Sequence, residues 1–87
     1  MTNWKIKWEV SAIKKLKKLD NQIEKRIISY LKKVVLGDPR KLGKQLLGDK
    51  SSFWRYRMGE YRIICRIVDD EFVVLIVSVG HRKEIYN

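Results

Sequence analysis

Arginine gathers in the C-terminal half of this chain, at Arg55, Arg57, Arg62, Arg66 and Arg82, with His81 and Lys83 flanking the last of them. A guanidinium keeps its charge at any working pH and grips phosphate oxygens through paired hydrogen bonds. The chemistry these residues suit is therefore the binding of phosphodiesters and the stabilisation of charge developing on them. Tyr86 offers an aromatic ring on which a base can stack. His81 is the only histidine, and imidazole is the one side chain whose ordinary pKa lies near neutrality, which makes it a candidate proton carrier. Other chemistries are poorly supported. One histidine and one cysteine cannot build a zinc centre, and the glycines do not match a phosphate-binding loop, so neither metal nor cofactor is expected. Cys65 stands in an apolar row and reads as a small buried thiol, while Asp69 and Asp70 read as solvated charge in a turn.

The balance of the whole chain points the same way. Twenty Lys/Arg against ten Asp/Glu leave a formal charge of +10 on 87 residues. Such an excess repels itself and attracts polyanions, and nucleic acid is the leading partner class, ahead of an anionic membrane surface. A hydrophobic fraction of 45% is ordinary for a folded domain, and the length fits a single unit over residues 1–87. A lone cysteine forms no internal disulfide, which fits a reducing compartment. Met1–Lys5 does not read as a signal peptide, and the longest apolar run, 72–79, is too short to span a bilayer. The expectation is a cytoplasmic protein without a membrane partner.

The elements that must position these side chains follow from periodicity. Trp4 to Val10 alternates apolar and charged residues, as a half-buried strand does, with Trp4, Ile6, Trp8 and Val10 on its apolar side. Ser11 stands where a helix N-cap is expected. Ile13, Leu16 and Leu19 then recur at helical spacing, and Asp20-Asn21 breaks the pattern and caps a longer helix with the stripe Ile23, Ile27, Tyr30, Leu31, Val34 and Val35. Gly37-Asp38-Pro39 ends it, glycine permitting a left-handed cap. Residues 40–52 show no clean period, and Leu42, Leu46 and Leu47 are expected to tuck a loop or short turn onto the core. Strands follow at 53–58, 61–68 and 72–79, with turns so short that they pair antiparallel. The fold class is α+β, in the order β-α-α-β-β-β: a twisted antiparallel sheet with a helical pair packed on one face.

Strand parity then gathers the arginines. Arg55 and Arg57 share one face of their strand, and Arg62 and Arg66 share a face with Ile64. If the last strand is regular through Gly80, then Ser78, Gly80 and Arg82 have one parity and His81 points away from Arg82. A sheet face cannot bury four unpaired charges, and few carboxylates lie near apart from Glu60 and Glu84. Arg55, Arg57, Arg62 and Arg82 are thus expected to line a solvent-open groove without built-in anions. The bland alternative is a face that only keeps the protein soluble, and arginine rather than lysine at every one of these positions argues against it.

Two blocks carry a family resemblance. Phe53-Trp54-Arg55-Tyr56-Arg57-Met58-Gly59-Glu60-Tyr61-Arg62-Ile63-Ile64 and Val77-Ser78-Val79-Gly80-His81-Arg82-Lys83-Glu84-Ile85-Tyr86 resemble the RelE family of bacterial and archaeal toxins. The helical pair and the 41–48 segment fit as well, so the resemblance covers essentially the whole chain. It implies a RelE-like fold of the microbial-ribonuclease kind and a toxin that enters the ribosomal A site and cuts mRNA there. In that family the 2′-hydroxyl attacks the adjacent phosphodiester, leaving a cyclic phosphate and a 5′-hydroxyl without a metal. A cognate antitoxin protein, expected to be acidic or amphipathic where it binds, holds the toxin inactive. By resemblance, Arg55 and Arg57 fall on the two basic positions of the family's first meander strand. Arg62 would stabilise the charged phosphorane, Arg82 would support the leaving oxygen, and Tyr86 would stack on the splayed base. Arg66, His81 and Lys83 are read as RNA-binding.

Prototype members carry lysines where this chain has Arg55 and Arg57, and arginine essentially cannot lose its proton. His81 supplies the base, or catalysis rests on positioning and charge stabilisation. Two further readings stand beside the nuclease. A ParE-like toxin has this architecture, binds DNA gyrase and cuts no RNA, but such chains generally lack the full arginine and terminal tyrosine set. A nucleic-acid-binding module without activity would use the same basic face.

Overall fold

The computed structural model describes residues 4–48 and 52–85, the last two by their backbone alone. The element order is β1 (Lys5–Trp8), α1 (Val10–Lys17), α2 (Asn21–Leu36), β2 (Lys44–Gln45), β3 (Trp54–Met58), β4 (Tyr61–Val68), β5 (Val73–His81) and α3 (Arg82–Ile85). A short 3-10 turn over Asp69–Glu71 joins β4 to β5. The expected α+β plan holds, with both long helices on one face of a five-stranded sheet ordered β1-β5-β4-β3-β2. The core lies between these layers. Ala12 and Leu16 of α1 and Ile27, Leu31 and Val34 of α2 meet Tyr56, Ile63, Cys65, Val74, Ile76 and Val79 of the sheet.

The sheet is mixed rather than wholly antiparallel. β3 to β5 form the antiparallel meander that their short turns dictate and β2 adds an antiparallel edge, but β1 joins β5 in parallel, Lys5 opposite Val73 and Trp8 opposite Ile76. Two helices separate β1 from the meander, which is connection enough for a parallel crossover. Lys5 donates its amide to the Phe72 carbonyl and Glu9 donates to that of Ile76, so β1 is bonded at both ends.

Helix boundaries depart from expectation at α1. Its N-cap position is Glu9, without a side-chain cap bond, and Val10 opens the helix instead of closing the strand, leaving it exposed. Ser11 therefore lies inside the helix and caps nothing. Asp20 caps α2 as expected, its Oδ1 accepting from the Gln22 amide at 3.2 Å. Gly37 stops α2 without a left-handed turn, at φ −136°. Pro39 and the strand-like pairing of β2 then carry the chain away.

The 40–48 segment is held differently from the expected leucine contacts. Leu42 is exposed and Leu47 is 90% exposed. Instead the Tyr56 hydroxyl donates to the Pro39 carbonyl at 2.7 Å, Trp54 Nε1 donates to that of Leu42 at 2.8 Å, and β2 zips onto β3. No helix among the described residues is long and apolar enough to cross a membrane.

Candidate nucleic-acid interface

The face of the sheet turned away from the helices is where parity sends the cations. Arg57 stands directly opposite Arg62, and Arg62 opposite Gly80. One row on, Lys44, Arg55, Ile64 and Ser78 are aligned across four strands. In the third row Arg66 faces Leu75, which in turn faces Lys7 of β1. Partners across a ladder share a face, so β1, β2, β3 and β4 each contribute a cation to the same surface, and β5 contributes Leu75, Ser78 and Gly80. Lys15 joins from α1, its Nζ donating to Ser78 Oγ at 3.0 Å past the end of β1.

The alternation is interrupted once. Ile64 pairs with Ser78 but Cys65 pairs with Ile76, so Val77 is an extra residue in β5. The last strand is thus not regular throughout, contrary to the simple expectation. A bulge of this kind changes parity: Val74 and Ile76 face the helices before it, and Val79 and His81 face them after it. Ser78 and Gly80 lie on the arginine side, the parity expected of them.

The arginines are not equivalent. Arg57 and Arg66 are exposed, and the Arg66 guanidinium carbon lies 5.0 Å from the centroid of the Phe53 ring. Arg55 is half-buried. Arg62 is only 4% exposed and does not line an open groove. Its Nη1 donates to the carbonyl oxygens of Gly59 at 2.9 Å and Tyr61 at 3.1 Å, folding the side chain back over its own turn. Its Nε is buried without a hydrogen-bond partner. Nor is the site free of built-in anions. Arg82 opens α3, and its Nε meets Glu60 Oε2 at 2.8 Å while its amide donates to the Glu60 carbonyl at 2.8 Å.

His81 lies on the helix side, opposite Tyr61, with ring centroids 5.6 Å apart in an edge-on contact. Its Nδ1 accepts from the Lys83 amide at 3.2 Å, and the Lys83 side chain is exposed. The structure therefore brings Arg55, Arg57, Arg62 and Arg66 to one face with Arg82 at its end, and keeps His81 off it. Tyr86 lies outside the described residues.

Sequence reasoning missed Lys7, Lys15, Lys44 and the role of Glu60. Lys7 was visible as the polar parity of β1, but only the parallel pairing joins that parity to the arginine face. Lys44 required a two-residue strand that no periodicity announces.

Burial pushes the Cys65 thiol up to about 12, so it is a packed side chain and not a nucleophile. No group of three or more metal-ligating side chains occurs among the described residues.

The relatives of this chain agree with its geometry. A family model described as the ParE toxin of the parDE type II toxin-antitoxin system matches residues 6–86. Toxin RelG of Mycobacterium tuberculosis is 28% identical over 81 residues, spanning 93% of each chain. A chain of the toxin-antitoxin complex RelBE2 from the same organism superimposes with a TM-score of 0.79 at 28% identity, covering 94% of both chains. The isolated E. coli RelE toxin has the same fold, with a TM-score of 0.76 at 21% identity over 95% of this chain and 90% of that one. With a family match running almost from end to end, this chain belongs to the ParE/RelE family of toxins from type II toxin-antitoxin systems.

Proposed function

We propose that this toxin is a ribosome-dependent endoribonuclease that cuts mRNA in the A site and so inhibits translation in the cytoplasm, and that a cognate antitoxin protein restrains it. The observation that carries the reading is the uncovered sheet face on which Arg55, Arg57 and Arg66 surround Arg62, with Arg82 at its end. A face of guanidinium groups suits a phosphodiester whose negative charge grows in the transition state. The message's own 2′-hydroxyl oxygen attacks the adjacent phosphorus, the bond to the 5′-oxygen breaks, and the products are a cyclic phosphate and a 5′-hydroxyl. No metal takes part. Arg57 holds the phosphate, Arg62 is braced beneath it, and Arg82 serves the departing oxygen. Tyr86 stacks on the base, and Arg66 and Lys83 bind flanking phosphates or ribosomal RNA.

His81 is a poor choice for the base, because its ring lies against Tyr61 on the other side of the sheet. Orientation and charge stabilisation are the larger contributors here. An antitoxin partner is supported by the solved relative RelBE2, itself a toxin-antitoxin complex.

A second reading has its own support, since the matching family model is described by ParE. A ParE-like gyrase inhibitor would use the fold without cutting RNA. Purified toxin is therefore to be added to ribosomes programmed with a defined message, to free message, and to a gyrase supercoiling reaction. The nuclease reading expects cuts only on ribosomes, with cyclic phosphate ends. Intact message together with blocked supercoiling selects the gyrase reading. Binding to RNA with neither effect would leave a module without activity. Within the nuclease reading, Arg82→Ala is expected to lower cleavage by about a hundredfold or more while leaving ribosome binding largely intact. Wild-type cleavage by that variant would assign the leaving-group role to another residue.

A further inference from the structure

The turn between β3 and β4 holds two arginines at once. The carbonyl oxygens of Gly59 and Tyr61 accept from Arg62, and Glu60 between them takes Arg82 by both its carboxylate and its carbonyl. These two attachments of Arg82 differ in kind. The backbone bond is fixed by the course of the chain. The ion pair joins side chains that are 50% and 60% exposed, so water and salt screen it and it contributes little to stability. A carboxylate and a phosphate oxygen compete for the same guanidinium donors, and a phosphodiester can replace the carboxylate without moving the Arg82 backbone. Directly across from Arg62 stands Gly80, which brings no side chain to this corner of the face.

We propose that Glu60 is a displaceable counter-ion for Arg82: its carboxylate occupies the guanidinium's anion site in the free protein and gives way to a phosphodiester oxygen of the bound strand. The identification of that phosphodiester as RNA rests on the nuclease reading, whereas the exchange itself requires only a phosphate. The resident carboxylate lowers the affinity of Arg82 for stray anions until the ligand arrives. On exchange the Glu60 side chain turns to solvent, and the bond from the Arg82 amide to the Glu60 carbonyl keeps the arginine on the turn.

The test is a titration with inorganic phosphate, followed through the backbone amide signals of residues 59–62 and 82. Wild type is compared with Glu60→Gln, Glu60→Asp, Arg82→Ala and the double variant Glu60→Gln/Arg82→Ala. Glu60→Gln keeps the backbone bond and the side-chain shape while removing the charge. It is expected to bind phosphate about two- to fivefold more tightly than wild type, the range that an exposed ion pair spans. Glu60→Asp is expected to bring the affinity back toward wild type, and the gain is expected to vanish in the Arg82→Ala background. Equal or weaker phosphate binding by Glu60→Gln overturns the proposal, as does a gain that survives the loss of Arg82. In an A-site cleavage assay Glu60→Gln is expected to lower KM while kcat is maintained. A collapse of kcat would make Glu60 part of the chemistry and overturn its role as a displaceable anion. Should wild type cut no RNA, the phosphate titration still decides the exchange, so the two failures are distinguishable.

Discussion

Arg57 and Arg62 face each other across a ladder, yet they do different work. Arg57 is exposed, so Arg57→Ala is expected to weaken binding to single-stranded RNA and to reduce the slope of log K against log salt by about 0.7, with folding unchanged. Arg62 is buried on two carbonyls, so Arg62→Ala strands these acceptors and is expected to cost about 1–3 kcal/mol in a urea melt. If the urea midpoint did not move, the Gly59 and Tyr61 carbonyls would have to be satisfied by water. Residue types and strand parity place both arginines on one face from sequence alone. Parity assigns a face and not a depth, however, and nothing in alternation says that a long side chain will fold back over its own turn. Sequence alone puts Glu60 near the arginines, but the same gap hid its pairing with Arg82, a contact between a turn and the start of α3. At Cys65 the reading from an apolar row agrees with the structure. A thiol reagent at pH 8 is expected to label Cys65 only as fast as the protein opens, because its folded thiol is both buried and held neutral.

Elements were readable where a long stripe or strict alternation wrote them. The capped α2 and the limits of β4 follow from such patterns, and Asp20→Ala is expected to lower stability by about 1 kcal/mol through loss of the cap bond to Gln22. Elements held by contacts rather than by periodicity were not readable, β2 above all. That strand depends on Gly43, which takes φ +76° and sits so close to β3 that an added Cβ would run into the Arg55 carbonyl oxygen and lie 2.9 Å from the Tyr56 ring. Gly43→Ala is expected to cost about 1–3 kcal/mol and to release the β2 edge, seen as faster amide exchange at Gln45 and Leu46.

The same connection is tied to the β4–β5 turn by Arg40, whose Nη1 and Nη2 lie 2.7 and 2.9 Å from the Asp69 carboxylate oxygens. The hydrogen bonds from Arg40 hold the Asp69 carboxyl below its usual pKa. A carboxylate of that kind contributes its stability above the ordinary carboxylate range and loses it as pH falls through the lowered value. Asp69→Asn is therefore expected to narrow the difference between melting temperatures at neutral and strongly acidic pH. The change is expected to be small, since both side chains are well exposed.

For the whole molecule, the separation of apolar from charged faces is the organising fact. The helices and the apolar side of the sheet close on each other, and cations from β1, β2, β3 and β4 are left on the other side. Charge counting announces a polyanion partner, but only the mixed topology shows how far the positive surface extends, because β1 adds Lys5 and Lys7 at the far edge through its parallel pairing with Val73 and Leu75. Replacing both lysines with glutamine is expected to lower the salt slope of RNA binding by about 0.7 for each cation removed. An unchanged slope would confine the RNA to the β3–β5 side of the sheet.

The extra residue at Val77 gives the chain one phase on the core side of the bulge and another toward its end. Deleting that single residue would set Ser78 directly after Ile76, so Ser78 would still meet Ile64 while Val79 and His81 would still face the helices. The strand would lose its bulge and keep both faces. β5 thus carries one residue of slack at this point. Its partner strand has none, since every position from Tyr61 to Val68 is paired, and a length change there is what this sheet is least able to absorb.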